Sequence, residues 1–426
     1  MIIETKRLKK KRLQNNNSVY TISSLEEMYA TELSLDSFSL RNLGGRALLS
    51  MLVALCNGVL SILQLLLFKR WNAETCSPRT IVAYTYGALG DNVVLLPVIA
   101  SLKKRYPTAT VTVVTTCFGF PIRDFFLHLP YVDHAIQIDD QPVVRRGVRF
   151  DYSAEELSSL KADLFVNLSP FGNRGVFGFV LREMIFAKKI NAQWSDGFKL
   201  ASFSISNRFL DLQHYFVKNE PRRWKEILVS LNTPVATRSE FLPIRQSAEA
   251  SMKEKIGFDR LRGKNIMVVN PGSKYLSRCW NAERYGAIAL WLKERYNAVV
   301  FVNTTENERE IARTVIQASE HSAIDLCGIL SHAELIELLR LSVLCVTNNT
   351  GTMHAASSLD IPIVAIFGTW ISPTHWFPDA SAVKVLCSFS ESSYSYSETG
   401  GTEKNIERIQ VDDVKRAIEQ VMEARR

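Results

Sequence analysis

The residues able to do chemistry fall in three short stretches. The first is Asn349-Thr350-Gly351-Thr352-Met353-His354. It follows an apolar, β-branched run, Val343-Leu344-Cys345-Val346, and precedes a helix-forming run, Ala355-Ala356-Ser357-Ser358-Leu359. A strand, a turn of Asn, Thr and Gly, and a helix start make a natural anion site. The first helical N–H groups have no partner within the helix, and the dipole favours negative charge. Gly351 lets a phosphate approach the backbone closely. The second stretch is Pro271-Gly272-Ser273 followed by Arg278-Cys279-Trp280, which adds a cation. The third is Gly90-Asp91, a carboxylate at a strand-to-helix turn, suited to take a proton from a hydroxyl. Each has a plainer reading: a capped turn, a surface charge, and a helix N-cap.

The elements that must position these residues alternate between strand and helix. Ile81–Tyr86 reads as a strand, Gly87–Asn92 as a turn, and Val93–Tyr106 as a helix, which Pro97 forces to begin near Val94. Thr110–Thr116 and Asp163–Leu168 read as strands, with helices near Gly178–Ala187 and Arg222–Leu231. After a Pro-containing, charged linker at 232–262 the pattern restarts. Strands are expected at Asn265–Val269, Ala298–Val302 and Ile361–Phe367. Helices are expected at Asn281–Tyr296, Glu308–Ser319, Ser331–Leu341 (opened by a Ser331/Glu334 capping box) and Val411–Arg426. Two such βα series imply largely parallel sheets with helices on both faces. All three stretches then fall at strand carboxyl ends, where such sheets bind ligands.

The 426 residues suffice for two ordinary domains. Seven cysteines without framework spacing point to reduced thiols in a cytosolic compartment. Neither a His/Cys cluster nor H-E-x-x-H suggests a metal, and without G-x-G-x-x-G a nicotinamide or flavin site has no support. The net charge of +8 owes much to Lys6–Arg12, which could attract anionic lipid or nucleic acid, or simply be solvated.

Together and in order, the motifs resemble glycosyltransferase family 9, the ADP-heptose:lipopolysaccharide heptosyltransferases and their relatives. They are Leu89–Pro107 (LGDNVVLLPVIASLKKRYP), the NPGS at Asn270, the RCW at Arg278, the LCG at Leu326, the NTGTMHAA at Asn349 and the AIFGT at Ala365. The resemblance covers roughly residues 80 to 425. It implies an α/β protein of two Rossmann-like domains facing across a cleft, the GT-B architecture. The expected activity is an inverting, metal-independent transfer of heptose or a related sugar to lipopolysaccharide or another glycolipid. No cofactor is expected beyond the nucleotide-diphosphate sugar donor, with ADP-heptose a candidate, and no nucleic acid partner. The resemblance assigns Asp91 as catalytic base and Ser273, Arg278, Glu308, Asn349, Thr350, Gly351, Thr352 and His354 to the donor side. For His354 packing beneath the turn is the stronger alternative, and for Glu308 an ordinary helix-start carboxylate is an equal one. Heptosyltransferases commonly read D-T-G at the phosphate turn; Asn349 carries no charge, so the donor sugar stays open. A sugar-nucleotide epimerase and a non-catalytic membrane scaffold are the competing classes.

Outside the family core, Ala47–Phe68 is 22 uncharged residues rich in Leu, Val, Ile and Met. The length suits a membrane span. Ser50, Asn57, Ser61 and Gln64 share one helical face, and Ser50, Ala54 and Gly58 form a small-residue edge. A span, an in-plane helix and a buried core helix all fit. The in-plane reading is preferred, holding the protein at the cytoplasmic face of the inner membrane. The expected organisation is therefore a basic, loosely ordered tail (1–46), a membrane-associated helix (47–70), and an acceptor domain (80–240). A donor domain (262–387) and a closing loop and helix (388–426) follow. With the first strand at Ile81, both domains are expected to fold without residues 1–70.

Overall fold

The computed structural model describes residues 19–28, 31, 40–116, 122–138, 157, 159–169, 176–199, 203–206, 211–214, 219–261, 263–274, 276–368, 374–388 and 405–424. The chain forms two compact α/β bodies, one built from Leu40–Pro243 and the other from Ile244–Arg426 together with the N-terminal segment before Leu40.

Within the segment expected as a loose tail, the first described element is a strand. Strand β1, Val19–Ile22, runs antiparallel to β14, Val383–Ser388, on the edge of the C-terminal sheet. Just after it, Leu25 and Met28 are buried. The pairing joins residues more than 360 positions apart, and no local pattern reports it.

Helix α1, Leu40–Leu67, opens the N-terminal body. Its inner edge is part of that body's core: Leu60, and Phe68 just beyond the helix, are buried with Val180, Met184 and Phe198. Among the described residues no helix is long and apolar enough to cross a membrane. Removing residues 1–70 would take β1 from the edge of one sheet and α1 from the core of the other.

The N-terminal sheet has five parallel strands: β2 (Thr80–Tyr86), β3 (Thr110–Thr116), β4 (His134–Ile138), β5 (Leu164–Asn167) and β6 (Trp194–Asp196). Their order is β4-β3-β2-β5-β6. The chain therefore winds outward from β2 in one direction and from β5 in the other. The expected helix at Val93–Tyr106 is two: α2, Leu89–Val93, and α3, Leu96–Arg105. Pro97 lies in the first turn of α3; having no N–H to offer Val93, it breaks the run there. Helix α4, Val176–Lys189, follows β5. The small antiparallel pair β7 (Phe203–Ser206) and β8 (Asp211–His214) went unforeseen.

The stretch at 232–262 is only partly a linker: it holds helices Arg238–Phe241 and Gln246–Lys255 and a 3-10 turn at Phe258–Leu261. Beyond it lie β9 (Asn265–Asn270), α5 (Ala282–Tyr296), β10 (Ala298–Val302), β11 (Ile324–Asp325), β12 (Leu344–Asn348), α6 (Gly351–Ser358) and β13 (Ile363–Phe367). Then come β14 and α7, Val411–Ala424. The sheet order is β1-β14-β13-β12-β9-β10-β11, parallel but for β1. Here the winding direction reverses between β9 and β12. Of the expected closing loop and helix at 388–426, residues 389–404 lie outside the described residues.

Candidate functional site

In open parallel sheets, ligands bind outside the strand carboxyl ends where the winding reverses. In the C-terminal body that place is the crevice between β9 and β12. Asn270, the last residue of β9, is nearly buried, and its Oδ1 accepts from Asn303 Nδ2 at 3.0 Å and from Thr352 Oγ1 at 2.9 Å. Its Nδ2 donates to Thr350 Oγ1 at 3.3 Å, and that hydroxyl lies 3.2 Å from Thr347 Oγ1. One side-chain amide thus ties together the loops after β9, β10 and β12. Each polar group satisfied in this way is one that would otherwise be costly to bury.

A second amide supports the crevice from beneath. Asn348 is fully buried; its Nδ2 donates to the Pro271 and Gly272 carbonyls at 2.7 and 3.2 Å. Its Oδ1 accepts from the Trp280 N–H at 3.2 Å and the Tyr285 hydroxyl at 3.0 Å. Trp280 is itself anchored, its Nε1 donating to the Ile409 carbonyl at 2.8 Å and its ring edge-on to Tyr285. The tryptophan of the R-C-W run is therefore core, and it fixes the backbone that carries Arg278 in the 3-10 turn Leu276–Arg278.

Around this frame lie the residues singled out in the sequence. Asn349 and Thr350 form the turn, half-buried, and α6 begins at Gly351. Thr350 stands at the N-cap, but its hydroxyl is turned to Asn270 and Thr347 and does not cap the first turn of α6. Ser273 is buried in the loop after β9. Glu308 closes a capping box, its Oε2 accepting from the Thr305 N–H at 2.9 Å and the Thr305 hydroxyl at 2.8 Å. The Glu308 carboxyl also fills the space a side chain at Gly272 would need. His354 is buried beneath the turn, edge-on to Trp376, with no hydrogen-bond partner at Nδ1. Burial, assisted by neighbouring His375, pulls its imidazole down to about 3, so it is neutral.

In the N-terminal body the winding reverses between β2 and β5. Asp91 sits in the first turn of α2, at the carboxyl end of β2, half-exposed. Its Oδ2 accepts from the Ala88 N–H at 2.7 Å. Ala88 has no side-chain acceptor to answer, so Asp91 supplies the whole cap. Gly87 has φ +119°, and a Cβ there would overlap the Asp91 carboxylate. Neighbouring Asn92 is fully buried: Nδ2 donates to the Gly87 and Ala88 carbonyls at 3.0 and 2.8 Å, and Oδ1 accepts from the Thr85 hydroxyl. The turn that presents Asp91 is thus held by its neighbour. Across the crevice, Asn167 at the end of β5 donates from Nδ2 to Glu183 Oε2 at 2.6 Å. Arg223 holds the Leu168 and Ser169 carbonyls at 3.2 and 2.8 Å. Burial lifts the Glu183 carboxyl to about 7, against the hydrogen bond from Asn167 and the charges of Arg182 and Arg223. Among the described residues no group of three or more His, Cys, Asp or Glu is placed to hold a metal ion.

With this geometry in view, comparison with known proteins gives a consistent answer. The family described as glycosyltransferase family 9 (heptosyltransferase) matches residues 213–406. The C-terminal half of the chain carries a glycosyltransferase family 9 domain. Lipopolysaccharide heptosyltransferase 3 of Escherichia coli is 21% identical over 286 residues, covering 66% of this chain and 80% of that protein. Lipooligosaccharide heptosyltransferase 2 of Campylobacter jejuni is 23% identical over 163 residues, 37% of this chain and 51% of that one. The glycosyltransferase family 9 structure from Veillonella parvula DSM 2008 superposes with a TM-score of 0.58 at 19% identity, covering 81% of this chain and 97% of its own. E. coli ADP-heptose lps heptosyltransferase II superposes with a TM-score of 0.52 at 17% identity, covering 80% and 98%. At these identities the structures speak for the fold, and the family match makes this chain a glycosyltransferase.

The sequence reading missed several residues of this glycosyltransferase's crevices. Asn303 ends an ordinary apolar strand with nothing to mark it. Asn348 and Asn349 are adjacent and alike; only the strand's alternation, which turns Asn348 inward, separates them. Asn92 was visible in the G-D-N run but overshadowed by Asp91.

Proposed function

We propose that this glycosyltransferase moves heptose or a closely related sugar from a nucleotide-diphosphate donor to a lipopolysaccharide or other glycolipid acceptor, with inversion and without a metal. The carrying observation is the β9/β12 crevice, where a helix start that its N-cap Thr350 leaves uncapped meets the loop that bears Arg278. Helix N–H groups and a guanidinium are suited to a leaving diphosphate. The relatives named as lipopolysaccharide and lipooligosaccharide heptosyltransferases support the donor and acceptor classes, with ADP-heptose the first donor to try.

In the proposed reaction Asp91 accepts the proton of the acceptor hydroxyl. The hydroxyl oxygen bonds to the anomeric carbon from the face opposite the nucleotide. The bond from that carbon to the diphosphate breaks, and the nucleoside diphosphate leaves with the electron pair. Thr350, Gly351, Thr352 and Arg278 hold the diphosphate, Ser273 and Glu308 the remainder of the nucleotide, and Asn349 the sugar hydroxyls. His354 acts only as packing beneath the turn. The proposed location of the reaction is the cytoplasmic face of the inner membrane, in keeping with a lipid-linked acceptor.

The deciding experiment measures release of free nucleoside diphosphate from a panel of nucleotide sugars, with and without lipopolysaccharide extract, for the parent and for Asp91→Asn. Asn keeps an oxygen for the Ala88 N–H, so the turn survives while the base is lost. Acceptor-dependent release that falls about 10²–10⁴-fold in the variant supports the reading. Conversion of the donor without an acceptor indicates an epimerase. Absence of turnover with any donor leaves only a scaffold.

A further inference from the structure

Helix α1 is apolar on two sides: Leu60, Leu63 and Leu67 pack inward on the core, and a second apolar row faces outward. Gln64 points inward and donates from Nε2 to the Ser195 carbonyl at 2.6 Å. Met51, Leu55, Val59, Ile62 and Leu66, spaced four, four, three and four apart, share the opposite face. They are 70%, 66%, 41%, 59% and 76% exposed. Gly58 is equally open, since a Cβ added there would meet nothing within 4 Å. A helix facing water arranges these side chains the other way round.

The surroundings are basic. Helix α4 packs along α1 and exposes Ile185, then Lys188 and Lys189. Lys188 Nζ reaches the Leu67 carbonyl at 3.1 Å, which brings the end of α4 to the end of α1, where Lys69 and Arg70 are exposed. From Leu40 to Ala73 the sequence contains no Asp or Glu.

We infer that α1 is an in-plane docking helix for an anionic phospholipid surface. Its leucine face enters the acyl boundary of one leaflet, and Lys69, Arg70, Lys188 and Lys189 meet headgroup phosphates. A second copy of the chain is the poorer occupant, because it would offer the same basic rim and no complementary charge. The docking rests on the proposed function only for its purpose, which is to confine a glycosyltransferase to the surface where a lipid-linked acceptor lies.

The test is flotation of the full-length protein with vesicles of phosphatidylcholine alone and of phosphatidylcholine mixed equally with phosphatidylglycerol. Parent protein is expected to float with the anionic vesicles, less so with neutral ones and less at high salt. Leu55→Glu combined with Ile62→Glu alters two exposed side chains, so circular dichroism should be unchanged while vesicle affinity falls roughly 100-fold, the scale of two leucine-sized side chains left unburied. Arg70→Gln with Lys189→Gln should abolish the preference for anionic vesicles. A parent that does not float, a Glu variant that floats equally well, or a parent dimer that the Glu variant turns monomeric would overturn the inference. Donor turnover on a soluble acceptor fragment is measured in parallel. Turnover without flotation refutes docking alone, and flotation without turnover refutes the transferase reading alone.

Discussion

The Glu308 carboxylate lies where a side chain on Gly272 would have to go. The two residues sit on neighbouring loops, after β9 and at the start of the helix that follows β10. The contact makes a glycine necessary at the third position of the N-P-G-S run without any unusual backbone angle. Gly272→Ala should therefore fold but push the Glu308 carboxylate off Thr305. The lost cap is worth about 0.5–2 kcal/mol. Nucleoside diphosphate affinity, read by titration calorimetry, should fall in Gly272→Ala and in Glu308→Ala alike. The double variant should be no weaker than either single one, since both remove the same carboxylate from the same place. Additive losses would show that Gly272 acts independently of Glu308.

Gly87 stands in a parallel relation to Asp91, but here the backbone is also constrained, with φ at +119°. Gly87→Ala should cost about 1–3 kcal/mol of stability, seen as a lower melting temperature, and should lower turnover by displacing the carboxylate. Asp91→Asn should lower turnover with little change in melting temperature. Equal stability losses in both variants would mean that Asp91 serves mainly as a cap.

Much of this architecture was legible because it is local. β-branched runs became strands, and the Ser331/Glu334 capping box formed as the spacing implied, with Ser331 N–H donating to Glu334 at 2.7 Å. The carboxyl-end placement of Asp91 and of Thr350–Thr352 followed from strand-turn-helix order alone. What stayed hidden is non-local. Strand β1 finds its partner at the far end of the chain. Asn270 and Asn348 matter through groups tens of residues away. The hydrophobicity of Ala47–Phe68 was evident, but which face it presents depends on Gln64 reaching Ser195.

Asn348 offers a direct test of the frame beneath the crevice. Asn348→Leu is close in volume but leaves the Trp280 N–H, the Tyr285 hydroxyl and two carbonyls without their partner. At about 1–3 kcal/mol for each buried group stranded, the loss should be at least about 3 kcal/mol. Denaturant unfolding would show it. Asn349→Leu, on the half-buried turn, should cost far less stability while weakening donor binding. A reversal of that order would exchange the roles assigned to the two residues.

Two buried groups tilt stability against pH in opposite directions. Glu183, in the N-terminal body, is lifted by burial from the ordinary 4.5 to about 7. Between those values the folded state holds a proton that the unfolded state has released. Its contribution is therefore greatest below pH 4.5 and is lost as pH rises to 7, by about 2–3 kcal/mol. His354, in the C-terminal body, is lowered by burial from 6.5 to about 3. There the unfolded state takes up the proton first, so stability is intact above pH 6.5 and is lost as pH falls toward 3. Glu183→Gln keeps an oxygen for the Asn167 amide and should remove the first slope, leaving stability rising from pH 4.5 to 6.5. His354→Gln should do the reverse. The measurement is denaturant unfolding of parent and both variants across pH 4–8. A Glu183→Gln curve with the same slope as the parent from pH 4.5 to 7 would show that the buried carboxyl is already ionised in the folded protein.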